Sequence, residues 1–246
     1  MSRFADAMFR VRRRRPGKVR RPGFMVIALP SAKVVYHPIP KVACSSVMSA
    51  CVDALEIDFP PGEWKPEVFQ TCKWDHLFDR PSIVVEDRPL PRRFGKYWSF
   101  ALVRNPWDRL VSCYSEKIRP DGDPENFING VSRVLASFGV FEAGMSFERF
   151  AREVAQIPDE EAEPHFLSQH KFIVNHEGDL IVDFLGRFET LDQDFDVVQQ
   201  RIRTPVELPH LLRSQRGHYR DYYTPDLADI VGERYAEDIA RFGYAF

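Results

Sequence analysis

The chain has 246 residues, 44% of them hydrophobic and 13% aromatic, with a formal net charge of -2. That apolar content suits one large core better than two complete ones, and no apolar run approaches the roughly 18 residues of a membrane-spanning helix. The basic amino terminus is not followed by the apolar segment of a signal peptide, so a cytoplasmic location is expected. Four cysteines, Cys44, Cys51, Cys72 and Cys113, show neither the paired spacing of a zinc site nor the density of a disulfide framework, so reduced thiols are expected.

Charge is distributed unevenly. Between Arg10 and Arg21 the segment RVRRRRPGKVRR holds eight basic groups and no acid. Residues 1–23 therefore read as a basic, flexible arm, suited to peripheral contact with an anionic membrane or a polyanionic substrate. No nucleic-acid-binding module follows it. A single domain is expected over residues 24–246, starting where the composition turns apolar at FMVIALP.

A first strand is expected at 33–37, and Val47, Met48, Cys51, Val52 and Leu55 recur at helical spacing, marking a helix over 45–56. Residues 59–93 are rich in proline and charge and read as irregular, with one short helix near 74–78. YWSFALV, 97–103, has the continuous apolar character of a buried strand. It runs through RNP into a helix whose Leu110, Val111, Tyr114 and Ile118 share a face. Helical patterns follow at 126–138 and 147–155, then the acidic loop DEEAEPH. The extended stretch LIVDFLGRF at 180–188 leads to a helix at 191–203, and after a basic loop at 205–220 a last helix is expected over 222–242. Strands alternating with helices argue for an α/β fold with a mostly parallel central sheet.

In such sheets ligands sit beyond the carboxyl ends of strands, where helix amino termini aim unpaired N–H groups at them. Two strand-turn-helix units put charge there. HPIPKVACSSV, 37–47, offers Lys41 as a cation and Ser45 and Ser46 as donors. VRNPWDRLVSCY, 103–114, offers Arg104 and, two turns into its helix, Ser112. Two separated anion sites imply a ligand with two anionic groups. Each residue also has a bland reading: a solvated lysine, a serine serving only as an N-cap, or an Arg104 that braces its turn by pairing with Asp108. The GxxxxGK[ST] pattern is absent and the first turn lacks glycine, which disfavours an ordinary phosphotransferase loop; no aspartate cluster marks a magnesium site.

PKVACSS and FALVRNPWDRLVSCYSEK resemble the sulfotransferases that use 3′-phosphoadenosine 5′-phosphosulfate (PAPS), in particular the carbohydrate sulfotransferase family 2 type. The likeness extends to EPHFLSQ, VDFLGRFETLDQDF and YRDYYTPDLADIVGERYAEDIARFGY. It implies a P-loop-like three-layer fold, PAPS as donor, no metal, and a carbohydrate or glycolipid acceptor. By position, Lys41 would contact the sulfuryl and bridging oxygens. Val42, Ala43, Cys44, Ser45 and Ser46 would hold the 5′-phosphate, and Arg104 and Ser112 the 3′-phosphate. RSQRGHYRDYY, 213–223, echoes a basic loop that closes over that phosphate in cytosolic sulfotransferases, which makes Arg216 a third contact. The acceptor-side base in related enzymes is a histidine or a carboxylate; His76 in KWDHLF is the first candidate and His165 in EPHFLSQ its rival. Direct displacement needs no covalent step, which removes Cys44 as a nucleophile. A nucleotide-dependent kinase and a non-catalytic polyanion-binding protein on the same fold are the alternatives.

Overall fold

The computed structural model describes residues 26–54, 84–85, 95–122, 124–209 and 216–246. Within them the chain divides into two compact units, residues 1–103 with 171–211, and residues 104–170 with 212–246.

The first unit is built on a five-stranded sheet in the order β3-β1-β2-β4-β7. Its strands are β1 (Val26–Leu29), β2 (Val34–Tyr36), β3 (Val84–Val85), β4 (Trp98–Val103) and β7 (Phe184–Arg187). β2, β4 and β7 run parallel, while β1 is antiparallel to both β2 and β3. The sheet is thus mostly parallel, with β1 reversed. β4 lies between two parallel neighbours and is buried from Ser99 onward, which explains its unbroken apolar run. Helix α1 (Cys44–Asp53) packs on β1, and the helix Leu191–Ile202 packs on β7. At the start of β4, the Ser99 amide and hydroxyl both donate to one oxygen of Asp183, at 2.8 and 3.1 Å, which fixes the β4–β7 register. Gly186 lets β7 lie close to its surroundings, since a Cβ there would meet Leu102 Cδ2 at 2.6 Å.

The second unit holds α2 (Pro106–Lys117), the hairpin β5 (Phe127–Ile128) and β6 (Val131–Ser132), α3 (Arg133–Ala136), α4 (Phe147–Gln156), α6 (Pro225–Arg234) and α7 (Ala236–Phe242); α5 denotes Leu191–Ile202 of the first unit. Its core gathers Trp107, Leu110 and Val111 of α2 with Phe147, Phe150 and Val154 of α4, Leu227 and Val231 of α6, and Phe141, Phe166 and Tyr235. Side-chain caps start the three long helices of this unit. Asn105 Oδ1 accepts from the amides of Trp107 and Asp108, Ser146 caps α4, and Thr224 caps α6, with proline at the first turn of α2 and α6.

Several expectations shift. The apolar segment after Phe24 forms β1, a strand the periodicity did not mark, joined to β2 by the turn 30–33 in which the Lys33 amide donates to the Pro30 carbonyl. The helix expected over 126–138 is instead the β5–β6 hairpin followed by the single turn α3. Asn129 and Gly130 both have positive φ, 49° and 74°, so Asn-Gly closes a tight hairpin turn that a helix would have to break. The last helix begins at Pro225, after a 3-10 turn at Tyr219–Tyr222, and is interrupted at Tyr235, whose φ of -112° ends α6 before α7 starts. Among the described residues no helix is long and apolar enough to cross a membrane. Most of 59–93, including the helix expected near 74–78, lies outside the described residues; Val84–Val85 forms β3.

Candidate functional site

In the first unit the turn after β2 carries Lys41, Val42 and Ala43 into α1. Lys41 and Ala43 have φ of 72° and 61°, while Val42 between them does not share the left-handed conformation. Alternating handedness turns consecutive backbone N–H groups toward one side, the anion-binding concavity that glycine-rich phosphate loops form. Here both left-handed positions hold residues other than glycine, at a cost of about 1–2 kcal/mol each. Ala43 is the N-cap of α1 and supplies no side-chain cap; no acid lies in the first helical turn, so the amides and the positive dipole end of α1 are not answered by a neighbouring carboxylate of that turn. Ser45 is half-buried and Ser46 buried. Val42 is fully buried, so it can offer a ligand only its backbone. Beneath the turn, burial above all, with Cys44 and Cys51 adding to it, pushes the Tyr36 phenol well above its ordinary range and keeps it neutral.

In the second unit Arg104 and Arg216, 112 residues apart in sequence, converge on one carboxylate. Arg104 Nε donates to Asp108 Oδ2 at 2.7 Å and its Nη2 approaches the same oxygen at 2.7 Å, while Arg216 Nη2 donates to Asp108 Oδ1. All three side chains are mostly buried, at 8%, 9% and 15% exposure for Arg104, Arg216 and Asp108. The pairing of Arg104 with Asp108 that the sequence allowed as a brace is therefore present, and Arg216 shares it. Two guanidinium forks thus share a single carboxylate, and the planar fork has a geometry that also suits phosphate. Ser112, also buried, follows Asp108 by one turn on the same face of α2.

The backbone of Arg104 is held from the EPHFLSQ segment. Its amide donates to Gln169 Oε1 at 2.9 Å, and its carbonyl accepts from Gln169 Nε2 at 2.8 Å. Asp238, with no exposure, accepts in turn from the Gln169 amide at 2.6 Å and from the His170 amide and Nδ1. Arg109, 2% exposed, donates to the carbonyls of Leu167 and Pro164, and Asp159 accepts from Ser168 and Arg234.

A sequence model described as "Sulfotransferase family" matches residues 25–245. The chain belongs to this family. Carbohydrate sulfotransferase 14 of Homo sapiens is 25% identical to it over 193 residues, 73% of this chain and 46% of that protein, and its Mus musculus counterpart is 24% identical over the same shares. An uncharacterized protein of Archaeoglobus fulgidus is 27% identical over 128 residues, 52% of this chain and 86% of that one. The chain spans about half the length of the carbohydrate sulfotransferases it matches. No solved structure matches it.

Within this family member, His165 lies beside the Arg109-braced segment with its Nδ1 2.8 Å from Glu163 Oε1, and its amide donates to Glu163 Oε2 at 2.7 Å. Burial alone would raise the Glu163 carboxyl; the hydrogen bonds and charge of His165, with Lys117 nearby, outweigh it and hold the carboxyl below the ordinary glutamate range. An ionised Glu163 on Nδ1 directs proton exchange of the ring to Nε2. His76 lies outside the described residues. Gln169, Asp238, Arg109 and Glu163 carry most of the positioning around these groups. All four lie in the stretches VRNPWDRLVSCY, EPHFLSQ and YRDYYTPDLADIVGERYAEDIARFGY that carry the family resemblance, which is the sequence signal that points to them.

Proposed function

We propose that this chain transfers a sulfuryl group from PAPS to a hydroxyl of a carbohydrate or glycolipid acceptor by in-line displacement. The observation that carries the reading is the convergence of Arg104 and Arg216 on Asp108, a buried pair of forks drawn from distant sequence and suited to a phosphate. The name of the two mammalian relatives, carbohydrate sulfotransferase 14, supports a sugar acceptor.

In this reading Arg104, Ser112 and Arg216 hold the donor's 3′-phosphate. The amides of Val42 to Ser46 and the hydroxyls of Ser45 and Ser46 hold its 5′-phosphate. The donor supplies a sulfuryl group on a phosphate leaving group. Lys41 stabilises the charge that develops on the bridging and equatorial oxygens. His165, oriented by Glu163, takes the acceptor's proton through Nε2. His76 is tested beside it. The displacement calls for no metal ion.

Calorimetry with adenosine 3′,5′-bisphosphate in the absence of metal tests the donor site: tight binding, weakened about tenfold or more in Arg104→Ala, is expected. No binding sinks the reading, and binding of ATP with magnesium instead identifies a kinase. Labelled sulfuryl transfer to an acceptor panel then separates an enzyme from a polyanion-binding protein. Lys41→Ala should lower the rate by about 10²–10³-fold with the fold intact, and a fully active Lys41→Ala refutes the mechanism.

A further inference from the structure

After α7 the sequence reads GYAF, 243–246. Gly243 takes left-handed backbone, φ 66°, which a residue without Cβ adopts freely, and the amides of Gly243 and Tyr244 both donate to the Ile239 carbonyl, at 2.9 and 3.2 Å. This cap turns the chain out of the helix and onto the start of α2. There Asn105, 8% exposed, serves two partners: its Oδ1 caps α2, and its Nδ2 donates to the Ala245 carbonyl at 2.9 Å. One residue further, the Phe246 ring meets Trp107, Tyr219 and Tyr223 edge to face, with centroids 5.5, 5.8 and 5.4 Å away. The Arg220 guanidinium covers the rings of Phe246 and Tyr219, at 5.6 and 5.5 Å. Phe246 is still 40% exposed, so burial is a weak reason for its place; the three ring pairs and the cation define it.

The rings that Phe246 joins belong to the two stretches that carry the arginine pair. Trp107 directly precedes Asp108, and Tyr219 follows Arg216 by three residues. Arg104 and Asp108 are placed by the helix start they share. Arg216 comes from a separate stretch, and the two guanidinium groups repel each other, so its meeting with Asp108 requires that stretch to be set firmly against α2. The Tyr223 hydroxyl, donating to the Trp107 carbonyl at 3.0 Å, is one tie between the two stretches, and the Phe246 ring wedged among Trp107, Tyr219 and Tyr223 is the other.

We propose that Phe246, aided by the hydrogen bond from Asn105 to Ala245, is a positioning residue for the phosphate-binding arginines: its ring fixes the Tyr219–Tyr222 turn against the start of α2 and thereby sets where Arg216 meets Asp108. Phe246 acts through Arg216, and what it confers is preference for a ligand bearing a second phosphate. The identity of that ligand rests on the sulfuryl-transfer reading above; the packing does not. Wild-type protein, Phe246→Ala, Phe246→Tyr and Asn105→Ser are titrated calorimetrically with adenosine 3′,5′-bisphosphate and with adenosine 5′-phosphate, each well below its unfolding temperature. Serine keeps a cap on α2 and removes the amide that reaches Ala245. Phe246→Ala should weaken the bisphosphate about tenfold and leave adenosine 5′-phosphate unchanged, while Phe246→Tyr, which keeps the ring, should stay within about twofold of wild type. Asn105→Ser should weaken the bisphosphate about threefold. Unaltered bisphosphate affinity in Phe246→Ala overturns the proposal, and so does equal weakening of both ligands, which marks a general loosening of the fold. Side-chain nitrogen NMR of arginine-labelled protein gives a readout without ligand. Rotation about the Cζ–Nε bond of Arg216, its signal identified from Arg216→Lys, should be slow in wild type and Phe246→Tyr and fast in Phe246→Ala; unaltered rotation in Phe246→Ala overturns the proposal. A wild-type protein that binds no bisphosphate, yet whose Arg216 loosens in Phe246→Ala, would sustain the positioning role and overturn the sulfuryl-transfer reading instead.

Discussion

Replacing Gln169 by leucine tests the claim that Arg104 is positioned through its backbone. Gln169 has no exposure and its amide closes both hydrogen-bonding groups of Arg104, 2.9 Å to the N–H and 2.8 Å to the carbonyl. Leucine keeps the bulk and leaves two buried backbone groups without partners, each costing about 1–3 kcal/mol. Apolar burial of the new side chain returns about 1 kcal/mol, so a net loss of about 3 kcal/mol is expected. For a chain of this length that lowers Tm by roughly 6–12 °C. Urea denaturation followed by tryptophan fluorescence reads the stability, and calorimetry with adenosine 3′,5′-bisphosphate reads the consequence for the arginine, which should bind the bisphosphate about tenfold more weakly once its backbone is released. Hydrogen exchange at the Arg104 amide should accelerate in parallel. A variant within about 0.5 kcal/mol of wild type and with unaltered bisphosphate affinity would show that the Gln169 clasp positions nothing.

Two further outcomes follow from the same geometry. Ala43→Gly should stabilise the chain by about 0.5–1 kcal/mol, because relief of the left-handed strain at φ 61° exceeds glycine's added entropy in the unfolded state; thermal unfolding reads it, and destabilisation would mean that the turn is not strained. Asp159 is pushed up by burial but held lower overall by the charge and hydrogen bond of Arg234 and by Ser168, and Glu163 is likewise depressed. Groups with lowered folded values stabilise above their ordinary 3.8 and 4.5 and lose that contribution as pH falls through the folded values. Urea midpoints measured from about pH 6 to about pH 3 should therefore decline, and Asp159→Asn should flatten the decline.

The parts of the fold that the sequence displayed were those in which one periodicity ruled a long segment. β4 was legible because parallel pairing on both sides buries it throughout, and α2 because Asn105, Pro106 and its apolar stripe agree on where the helix starts and which face turns inward. Misreadings arose where local chemistry outweighed the period. Over 126–138 the apolar spacing was compatible with a helix, yet Asn129-Gly130 favours a two-residue hairpin turn that no helix accommodates. Thr224-Pro225 likewise marked a helix start inside a segment whose apolar spacing ran through it. β1, only four residues long and buried at each of them, offered no alternation to detect.

The candidate site divides along the same line. Lys41, Ser45, Ser46, Arg104 and Ser112 stand at the ends of strands and starts of helices, where chain order alone suggests looking for an anion site. What aligns Arg104 is non-local: Asp238 lies 134 residues away in sequence and acts through the backbone of Gln169, and Arg216 reaches Asp108 across 108. No periodicity links such residues, because their coupling exists only once the second unit has packed. The same reasoning explains why a turn without glycine can still hold two residues in left-handed backbone. The absence of glycine from PKVACSS argued against a phosphate loop on propensity, but propensity sets only a cost of about 1–2 kcal/mol per left-handed residue, and packing can outweigh it. Val42, buried completely between Lys41 and Ala43, anchors the turn in that shape. The left-handed strain at Lys41 and Ala43 is therefore maintained by the fold around the turn.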